Sequence, residues 1–272
     1  MDVKIKTKLF RTLVSGEYDS VRAACEQNKS QLAGADLDKA DLSNANLEDA
    51  DLDGAWLEGA SLDGANLVRA NLRKASGYNI AARMGTYTTP ATFRGAKLAN
   101  AKLVEARLKG SSFGGADLTN ADLSKSEFVM ARFEGATLTG ANLRQSNFER
   151  ANFTGADLRG TTSQSNFTEA TFDNANLEGT SFAGCAFVRA SFKNANLRNA
   201  NLSSANFAQA DFEGADLTGT NMTGAKIWQA KLDRANTAGA IMTGVKTSAA
   251  GSCLITILLF LTIFGLLVIV IK

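Results

Sequence analysis

The chain has 272 residues, no histidine and three cysteines, Cys25, Cys185 and Cys253, which lie far apart. Histidine is the commonest general base and metal ligand, and cysteines at this spacing indicate neither a zinc site nor a disulfide framework, so the composition disfavours both. A formal net charge of +2 is too small to indicate a nucleic-acid-binding protein.

Residues 1–30 precede a long repeat and are predicted to form its cap. The segment is basic but lacks the apolar run that a secretory signal needs, so export by that route is not expected. A stack of coils would leave unpaired strand edges at its end, and one or two short helices here would cover them. The apolar residues expected to pack on the first coil are Leu9, Phe10, Leu13 and Val14.

An alternative role for the N-terminal segment is contact with an anionic membrane. Basic side chains recur along it and could lie on such a surface. Both roles remain open from the sequence. The residues concerned are Lys4, Lys6, Lys8 and Arg11.

A five-residue period begins at Leu32, where a large apolar residue starts to recur at every fifth position, and from Leu37 onwards a small residue stands two places before it. A small inward, polar outward, large inward and polar outward residue account for four positions, and the fifth must turn the chain. Glycine is frequent at that fifth position, as at Gly54, because a positive φ is costly for a residue with a Cβ. The period predicts a solenoid over residues 31–245.

Phenylalanines reveal a longer period. They recur at intervals of twenty residues, apart from one interval of nineteen between Phe153 and Phe172, and leucines five residues later do the same. Like residues stacked on like would fill a solenoid interior in layers, so a superperiod of twenty predicts four repeats per coil. The phenylalanines are Phe93, Phe113, Phe133, Phe153, Phe172, Phe192 and Phe212.

The pattern A-(D/N)-L-x-x, as in residues 35–39 and 195–199, resembles the pentapeptide-repeat family over about residues 31–245. The resemblance implies an all-β fold, a right-handed quadrilateral β-helix with four pentapeptides per coil. Some members of that family resemble B-form DNA in shape and charge and protect DNA gyrase from quinolones. Members often pair end to end through the C-terminal coil, which leaves a homo-oligomer possible here.

Two stretches interrupt the repeat. Residues 161–164 are one residue short, which predicts a coil of nineteen residues. Residues 76–90 could form a degenerate coil, with one residue inserted after Leu72, or a protruding loop, and the coil is the favoured interpretation. In both cases Tyr78, Tyr87 and Pro90 make this the least regular surface of the solenoid.

No residue is predicted to be catalytic, and no cofactor or metal is expected. The repeated aspartates alternate with asparagine in the outward slot before the central residue, where bonding to the turn backbone explains them. Cys185 falls in the small inward slot and is interpreted as a core residue, while Cys253 would lie at a membrane edge. Trp56 and Trp228 are placed on different sides of the rod. The aspartates are Asp36, Asp41, Asp51, Asp117, Asp122, Asp157 and Asp216.

Acidic residues concentrate in residues 31–64, which we call the acidic collar. Nine acids stand there against one base, Lys39, whereas residues 91–160 carry ten bases and seven acids. The negative charge therefore does not continue along the rod. The collar acids are Asp36, Asp38, Asp41, Glu48, Asp49, Asp51, Asp53, Glu58 and Asp63.

A linker at residues 246–252 leads to residues 253–271, which are uncharged throughout. Nineteen helical residues would span about 28 Å, close to the thickness of a bilayer core, so a transmembrane helix is predicted. Because Lys231, Arg234 and Lys246 precede the segment and only Lys272 follows, the positive-inside rule places the repeat domain in the cytoplasm.

These features predict a non-enzymatic, membrane-tethered scaffold that binds an unidentified protein partner, with the membrane engaged through residues 253–271. A DNA mimic that protects gyrase is the alternative, but mimicry needs negative potential along the whole rod, and the collar covers under two coils. Nucleic acid is not an expected partner. An enzyme is the remaining alternative and has the least support.

Overall fold

The computed structural model describes residues 2–8, 11–77 and 89–247 and the backbone of two short strands near the C-terminus. Its main body is a stack of coils joined by single parallel β-bridges, one for each repeat. Asp36 bridges Trp56, which in turn bridges Ser76, so the same face recurs after four repeats. The twenty-residue superperiod therefore corresponds to one turn of a four-sided all-β solenoid.

Most corners are closed by one short-range hydrogen bond. The backbone N–H of the small residue donates to the carbonyl of the preceding central residue, as from Ala96 to Phe93 at 3.1 Å. The residue just before the small one has a positive φ, 62° at Gly95 but also 59° at Lys39 and 57° at Asn44. Glycine is thus preferred but not required, because the stack imposes this backbone on residues with a Cβ as well.

Two phenylalanine columns fill adjacent faces of the core. In the first, the rings of Phe93 and Phe113 stack with centroids 4.7 Å apart, as the sequence period predicts. The second column was missed by sequence reasoning, and its rings meet the first edge-on, as Phe128 does Phe113 at 5.8 Å and 72°. Offset and edge-on pairs of this kind each contribute roughly 0.5–1.5 kcal/mol beyond their burial. The second column comprises Phe128, Phe148, Phe167, Phe187 and Phe207.

A ladder of buried serines replaces alanine at one corner of the middle coils. The N–H of Ser126 donates to Oγ of Ser146 in the next coil at 3.1 Å, and that hydroxyl donates to the carbonyl of Leu123 at 2.8 Å. The hydroxyl therefore takes the place of the direct corner bond and satisfies both backbone groups. Ser165 continues the ladder, and its N–H meets the Cys185 sulfur at 3.4 Å.

The coil that contains residues 161–164 has nineteen residues. Asn147 bridges Asn166, whereas earlier coils are related by twenty, as Asn142 is to Asp122. Ser163 occupies the slot that holds a leucine in most coils, and it is only 6% exposed. One residue is thus lost at a corner without disturbing the columns.

Ser76 and Thr92 occupy neighbouring faces of one coil, because Ser76 bridges Trp56 and Thr92 bridges Ser61. The N–H of Ala91 donates to the carbonyl of Gly77 at 3.2 Å, the usual corner bond, so residues 78–90 stand where other corners have two residues. The four faces of this coil are therefore formed by residues on either side of this stretch. The small slot is filled by Ala75, and no residue is inserted after Leu72. Residues 78–88 themselves, with Tyr78 and Tyr87, lie outside the described residues.

The N-terminal cap is a β-hairpin followed by a short helix. Strands β1 (Asp2–Lys6) and β2 (Thr12–Glu17) pair antiparallel, helix α1 spans Val21–Gln27, and a 3-10 helix spans Lys29–Gln31. The expectation of a helical cap is therefore wrong for the first half of this segment. The physical reason is the alternation of polar and apolar residues in β1, a period of two.

The cap covers the first coil and supplies acceptors for its edge. Val14 is buried and Leu13 packs against the same core, while Leu9 and Phe10 lie outside the described residues. Three outward amides of the first coil find partners in the cap. Asp36 N–H donates to the Lys6 carbonyl at 2.6 Å, Asn46 N–H to the Glu26 carboxylate at 2.8 Å, and Asp51 N–H to the Lys29 carbonyl at 2.9 Å.

The C-terminal segment differs from the predicted helix. Within residues 253–271 the structure describes strands β3 (Thr256–Leu259) and β4 (Val268–Ile271), which pair antiparallel. Isoleucine, valine and threonine are frequent here, and β-branched residues favour extended backbone. The described part of the chain has no helix that is long and apolar enough to cross a membrane. The predicted transmembrane helix is thus unsupported, and the rest of that range lies outside the described residues.

Candidate functional site

The outward aspartates and asparagines accept hydrogen bonds from backbone N–H groups of the following turns. Oδ1 of Asp117 accepts the N–H of Thr119 at 3.0 Å, and Oδ1 of Asn152 accepts that of Thr154 at 3.0 Å. Such local bonds explain why the two residue types alternate in this slot. Among the residues that the structure describes, no group of three or more potential ligands could hold a metal ion. The expectation that the chain has no catalytic residue stays a prediction.

Lys8 of the cap reaches the acidic collar. Its Nζ lies 2.5 Å from a carboxylate oxygen of Asp38 and 3.2 Å from one of Asp36, and 5.4 Å from the ring centre of Trp56. Burial lowers the pKa of Lys8, but hydrogen bonds to the two carboxylates outweigh it and raise that pKa above its ordinary value. This lysine therefore faces the rod rather than the surroundings.

Arginines from the neighbouring coils neutralise more of the collar. Arg69 lies 2.6 Å from Asp49 and 2.7 Å from Glu48, and its hydrogen bond lowers the pKa of Asp49. Arg94 lies 2.6 Å from Asp63. Partial burial raises the pKa of Asp63, and hydrogen bonds from Arg94 outweigh this effect, so the pKa is lowered overall.

Five of the nine collar acids thus have a basic partner, and the collar is less negative than its composition suggests. Sequence position alone could not reveal this, because Arg69 and Arg94 reach across coils that are twenty and thirty-one residues apart. The collar acids without an ion pair among the described residues are Asp41, Asp51, Asp53 and Glu58.

A band of unpaired cations follows the collar, and we call it the cationic band. Its four side chains are exposed and lie on three successive faces, and none has an ion-pair partner among the described residues. Most other arginines near it are paired, as Arg73 is with Glu105 at 3.2 Å. Unpaired charges are the ones available to a partner. The cationic band consists of Lys97, Lys102, Arg107 and Lys109.

The cationic band adjoins the corner where residues 78–90 leave the coil. The N–H of Gly77 donates to the carbonyl of Arg107 at 2.9 Å. Gly77 fills a slot that holds a leucine or phenylalanine in other coils, and a Cβ there would lie 2.8 Å from Cδ2 of Leu108 and 3.0 Å from Cβ of Ala91. The side chain of Leu108 thus occupies the space that Gly77 leaves. In the sequence, this corner was indicated by the five-residue repeat, which is regular before Gly77 and again after Ala91.

Both described cysteines are core residues. Cys25 is 0% and Cys185 1% exposed, and burial raises the pKa of both thiols, that of Cys25 to about 12. A thiol that stays protonated is a poor nucleophile. Cys253 lies outside the described residues.

The two tryptophans lie on the same face, which corrects the prediction that they lie on different sides. Trp56 stacks below Ser76 in the column that continues to Lys226 and ends at Lys246, and Trp228 is two residues beyond Lys226. Counting in twenties failed because residues 78–90 add to one coil and residues 161–164 shorten another. The tryptophans remain near opposite ends of the solenoid, so they do not form one surface.

The C-terminal end of the solenoid is only partly covered among the described residues. In the penultimate coil the central residues Phe207, Phe212 and Met222 are 0–1% exposed. Their counterparts in the last coil include Ile227 and Leu232, which are only half-buried. The core thus reaches the surface at this end.

No functionally curated protein matches the chain in sequence. Among solved structures, HetL, a pentapeptide repeat protein involved in heterocyst differentiation regulation in Nostoc sp. strain PCC 7120, is 26% identical, with 77% of this chain and 88% of that chain covered and a TM-score of 0.42. Trypsin-treated QnrB1, a plasmid-mediated fluoroquinolone resistance protein, is 17% identical, with 70% and 90% covered and a TM-score of 0.50. At this identity the QnrB1 likeness supports the fold alone.

Two family sequence models match the repeat domain. The one described as pentapeptide repeats (8 copies) matches residues 28–64, 51–76, 91–124 and 126–162. The one described as a pentapeptide repeat region matches residues 165–241. The matched ranges stop on both sides of residues 77–90, where the extra chain leaves the coil. Since the two models together cover most of the chain, it belongs to the pentapeptide repeat family.

Proposed function

We propose that the chain is a non-enzymatic, membrane-tethered interaction rod whose partner is a protein with an acidic surface. The observation that carries this proposal is the cationic band, four exposed cations on three successive faces that have no ion-pair partner among the described residues. The backbone under these side chains is held by the stack, so binding would cost little ordering of the rod. Charge complementarity would set the orientation of the partner and its rate of association.

The residues present support a non-enzymatic role. The chain has no histidine, and its repeated carboxylates accept hydrogen bonds from turn amides. Where a hydroxyl lies beside a carboxylate, as that of Thr119 does beside Asp117 at 2.6 Å, the same carboxylate oxygen accepts the N–H of the hydroxyl-bearing residue, so the turn explains the pair.

The proposed tether is the uncharged segment at residues 253–271, which would hold the rod at a membrane. Its composition supports this role, since nineteen consecutive residues carry no charge and the preceding repeats are basic. The repeat domain would lie in the cytoplasm.

Site-specific photo-crosslinking in living cells tests the interaction role. A photoreactive residue replaces Lys109 in the cationic band or, as a matched control, Arg198, which is also exposed but pairs with Asp216 at 3.4 Å. We expect a discrete protein adduct from position 109 and none from position 198. Changing Lys97, Lys102 and Arg107 to glutamine should reduce the adduct at position 109 about tenfold. Equal labelling at both positions would contradict the proposal.

Carbonate extraction of membranes tests the tether separately. The native chain should stay with the membranes, and the Leu259→Lys/Phe260→Lys double variant should be released, because charge within a membrane segment is costly. A native chain found in the soluble fraction would refute the tether and leave the crosslinking result to be judged alone.

QnrB1 is described as a fluoroquinolone resistance protein, and a related DNA-mimic role is the second candidate. The pairing of collar acids with Lys8, Arg69 and Arg94 speaks against it, since mimicry needs sustained negative potential. A type II topoisomerase identified as the adduct at position 109 would favour this candidate instead.

A further inference from the structure

The last coil, residues 226–245, has an apolar centre that opens at the end of the solenoid. The inward side chains there are partly exposed, whereas those one coil earlier are buried. Ile241 is an outward residue of this coil that forms a β-bridge with Asn221, and it is 51% exposed. An apolar surface of this kind marks a place where something else is bound. The inward residues are Ile227, Leu232, Ala235, Met242 and Val245.

The backbone of this coil also ends without a full set of partners. In the coil before, Phe212 N–H donates to the Lys231 carbonyl at 2.8 Å and Leu217 N–H to the Asn236 carbonyl at 2.7 Å. The equivalent amides of the last coil, at Leu232 and Thr237, have no acceptor among the described residues. Water and lipid head groups can accept such bonds, but hydrocarbon cannot. The end therefore suits the interfacial region of a bilayer rather than its core.

The rim of the same coil is basic. It carries four cations against one carboxylate, Asp233, although Lys231 lies 3.8 Å from Asp211 and Arg234 pairs with Glu213 in the coil before. Lys226 and Lys246, which bridge each other, have no ion pair among the described residues. Trp228 is half-buried on the rim. Cations, an indole ring and an aliphatic side chain around an apolar centre are the composition that binds anionic bilayer surfaces. The rim cations are Lys226, Lys231, Arg234 and Lys246.

The chain itself brings this end close to the proposed tether. Only residues 247–252 separate Lys246 from the uncharged segment that begins at Cys253. Six extended residues reach at most about 21 Å. A rod held by that segment would thus keep its last coil near the bilayer.

We propose that the C-terminal end of the solenoid seats end-on against an anionic bilayer surface, with its rim cations, foremost the unpaired Lys226 and Lys246, among the lipid phosphates. Ile241 and Trp228 enter the interfacial region. This inference rests on the proposed tether and adds an orientation, in which the rod stands on its last coil and its N-terminal cap is farthest from the membrane.

Quenching of Trp228 by brominated lipid tests the seating. The Trp56→Phe chain, which has Trp228 as its single tryptophan, is reconstituted at full length into vesicles of phosphatidylcholine alone or mixed with phosphatidylglycerol. We expect strong quenching in the anionic vesicles. Adding Lys226→Gln, Lys231→Gln and Lys246→Gln should reduce it to about half or less, since each cation near the surface contributes to lipid binding. The matched control changes Lys97, Lys102 and Lys109 to glutamine and should leave the quenching unchanged.

Flotation of the same vesicles separates the two proposals. A chain that floats with anionic vesicles while Trp228 remains unquenched would keep the tether and overturn the end-on seating. A chain that does not float would refute both. Protection of Trp228 from acrylamide before vesicles are added, together with dimeric size or with crosslinks to residues 253–271, would show that a second copy or that segment covers the end and would also overturn the seating.

Discussion

The two ends of the solenoid complete the same repeating stack in different ways. At the N-terminal end the hairpin and helix α1 bury the first coil and supply acceptors for the amides of Asp36, Asn46 and Asp51. At the C-terminal end the described residues leave the core partly exposed and the amides of Leu232 and Thr237 without acceptors. One end is thus satisfied within the chain, and the other is available to the surroundings.

This difference shows that a stack of identical coils does not decide how it ends. Every internal coil is covered by its neighbours, but a terminal coil needs a separate solution for its edge and its apolar interior. In this chain the N-terminal end is covered by a hairpin and a helix whose sequence lacks the five-residue period. The basic rim at the other end would direct the open face towards an anionic partner.

The largest expected effect compares isoleucines at the two ends. Ile5 is 3% exposed in the cap, and Ile227 is half-buried in the last coil. Ile5→Ala should lower the free energy of unfolding by about 2–4 kcal/mol, and Ile227→Ala by about 1 kcal/mol, because the cavity term needs a closed surrounding. Urea unfolding of the detergent-solubilised full chain measures both. Equal losses would mean that the C-terminal end is covered as well as the cap is.

An intermediate effect comes from the thiol buried in the cap. Burial, with a smaller contribution from the Glu26 carboxylate, raises the pKa of Cys25 to about 12. The unfolded chain loses this proton near pH 8.5, so between the two values only the unfolded state is ionised and stability falls as the pH rises, by up to about 1.4 kcal/mol per unit. Below pH 8 this contribution is constant.

The check on Cys25 is the difference between native and Cys25→Ala chains in urea unfolding at pH 8, 9 and 10, under reducing conditions. The native chain should lose stability faster than the variant above pH 8.5. Parallel curves would show that the thiol is accessible and that the cap is looser than its packing indicates.

The smallest expected effect concerns lysines at the two ends. Lys8→Ala removes the ion pairs with Asp36 and Asp38 and the contact with Trp56, and it should lower the free energy of unfolding by about 0.5–1 kcal/mol. Lys246→Ala removes no ion pair of the described residues and should change stability by less than that. Raising the salt concentration to 1 M should abolish the Lys8 effect. A salt-independent loss would indicate packing rather than charge.

The repeat could be predicted from the sequence because residues that are one sequence period apart are also neighbours in the stack. Leu98 and Leu118 are twenty residues apart in the chain and adjacent in the core, so one observation carries both facts. The first phenylalanine column followed for the same reason. The second column went unnoticed because the short coil divides it: Phe128 lies before that coil and Phe167 after it, so the spacing of twenty is broken between them.

The features that sequence reasoning missed depend on contacts between coils. The N-terminal hairpin has only a few residues of alternation, too short a signal to outweigh the expectation of a helix. The neutralisation of the collar by Arg69 and Arg94 needs the register between coils. The slot of Gly77 cannot be recognised in the sequence, since the residue that fills its space, Leu108, comes from the next coil.

The corner between Gly77 and Ala91 has a practical consequence. Thirteen residues stand between Gly77 and Ala91 in the sequence, yet Thr92 resumes on the next face and the usual corner hydrogen bond is kept. The number of residues at a corner can therefore change without shifting the columns, as it also does at residues 161–164. A reporter domain or an epitope should therefore be tolerated between Gly77 and Ala91, whereas a single residue added within a face would place the following residues of that face on the wrong side.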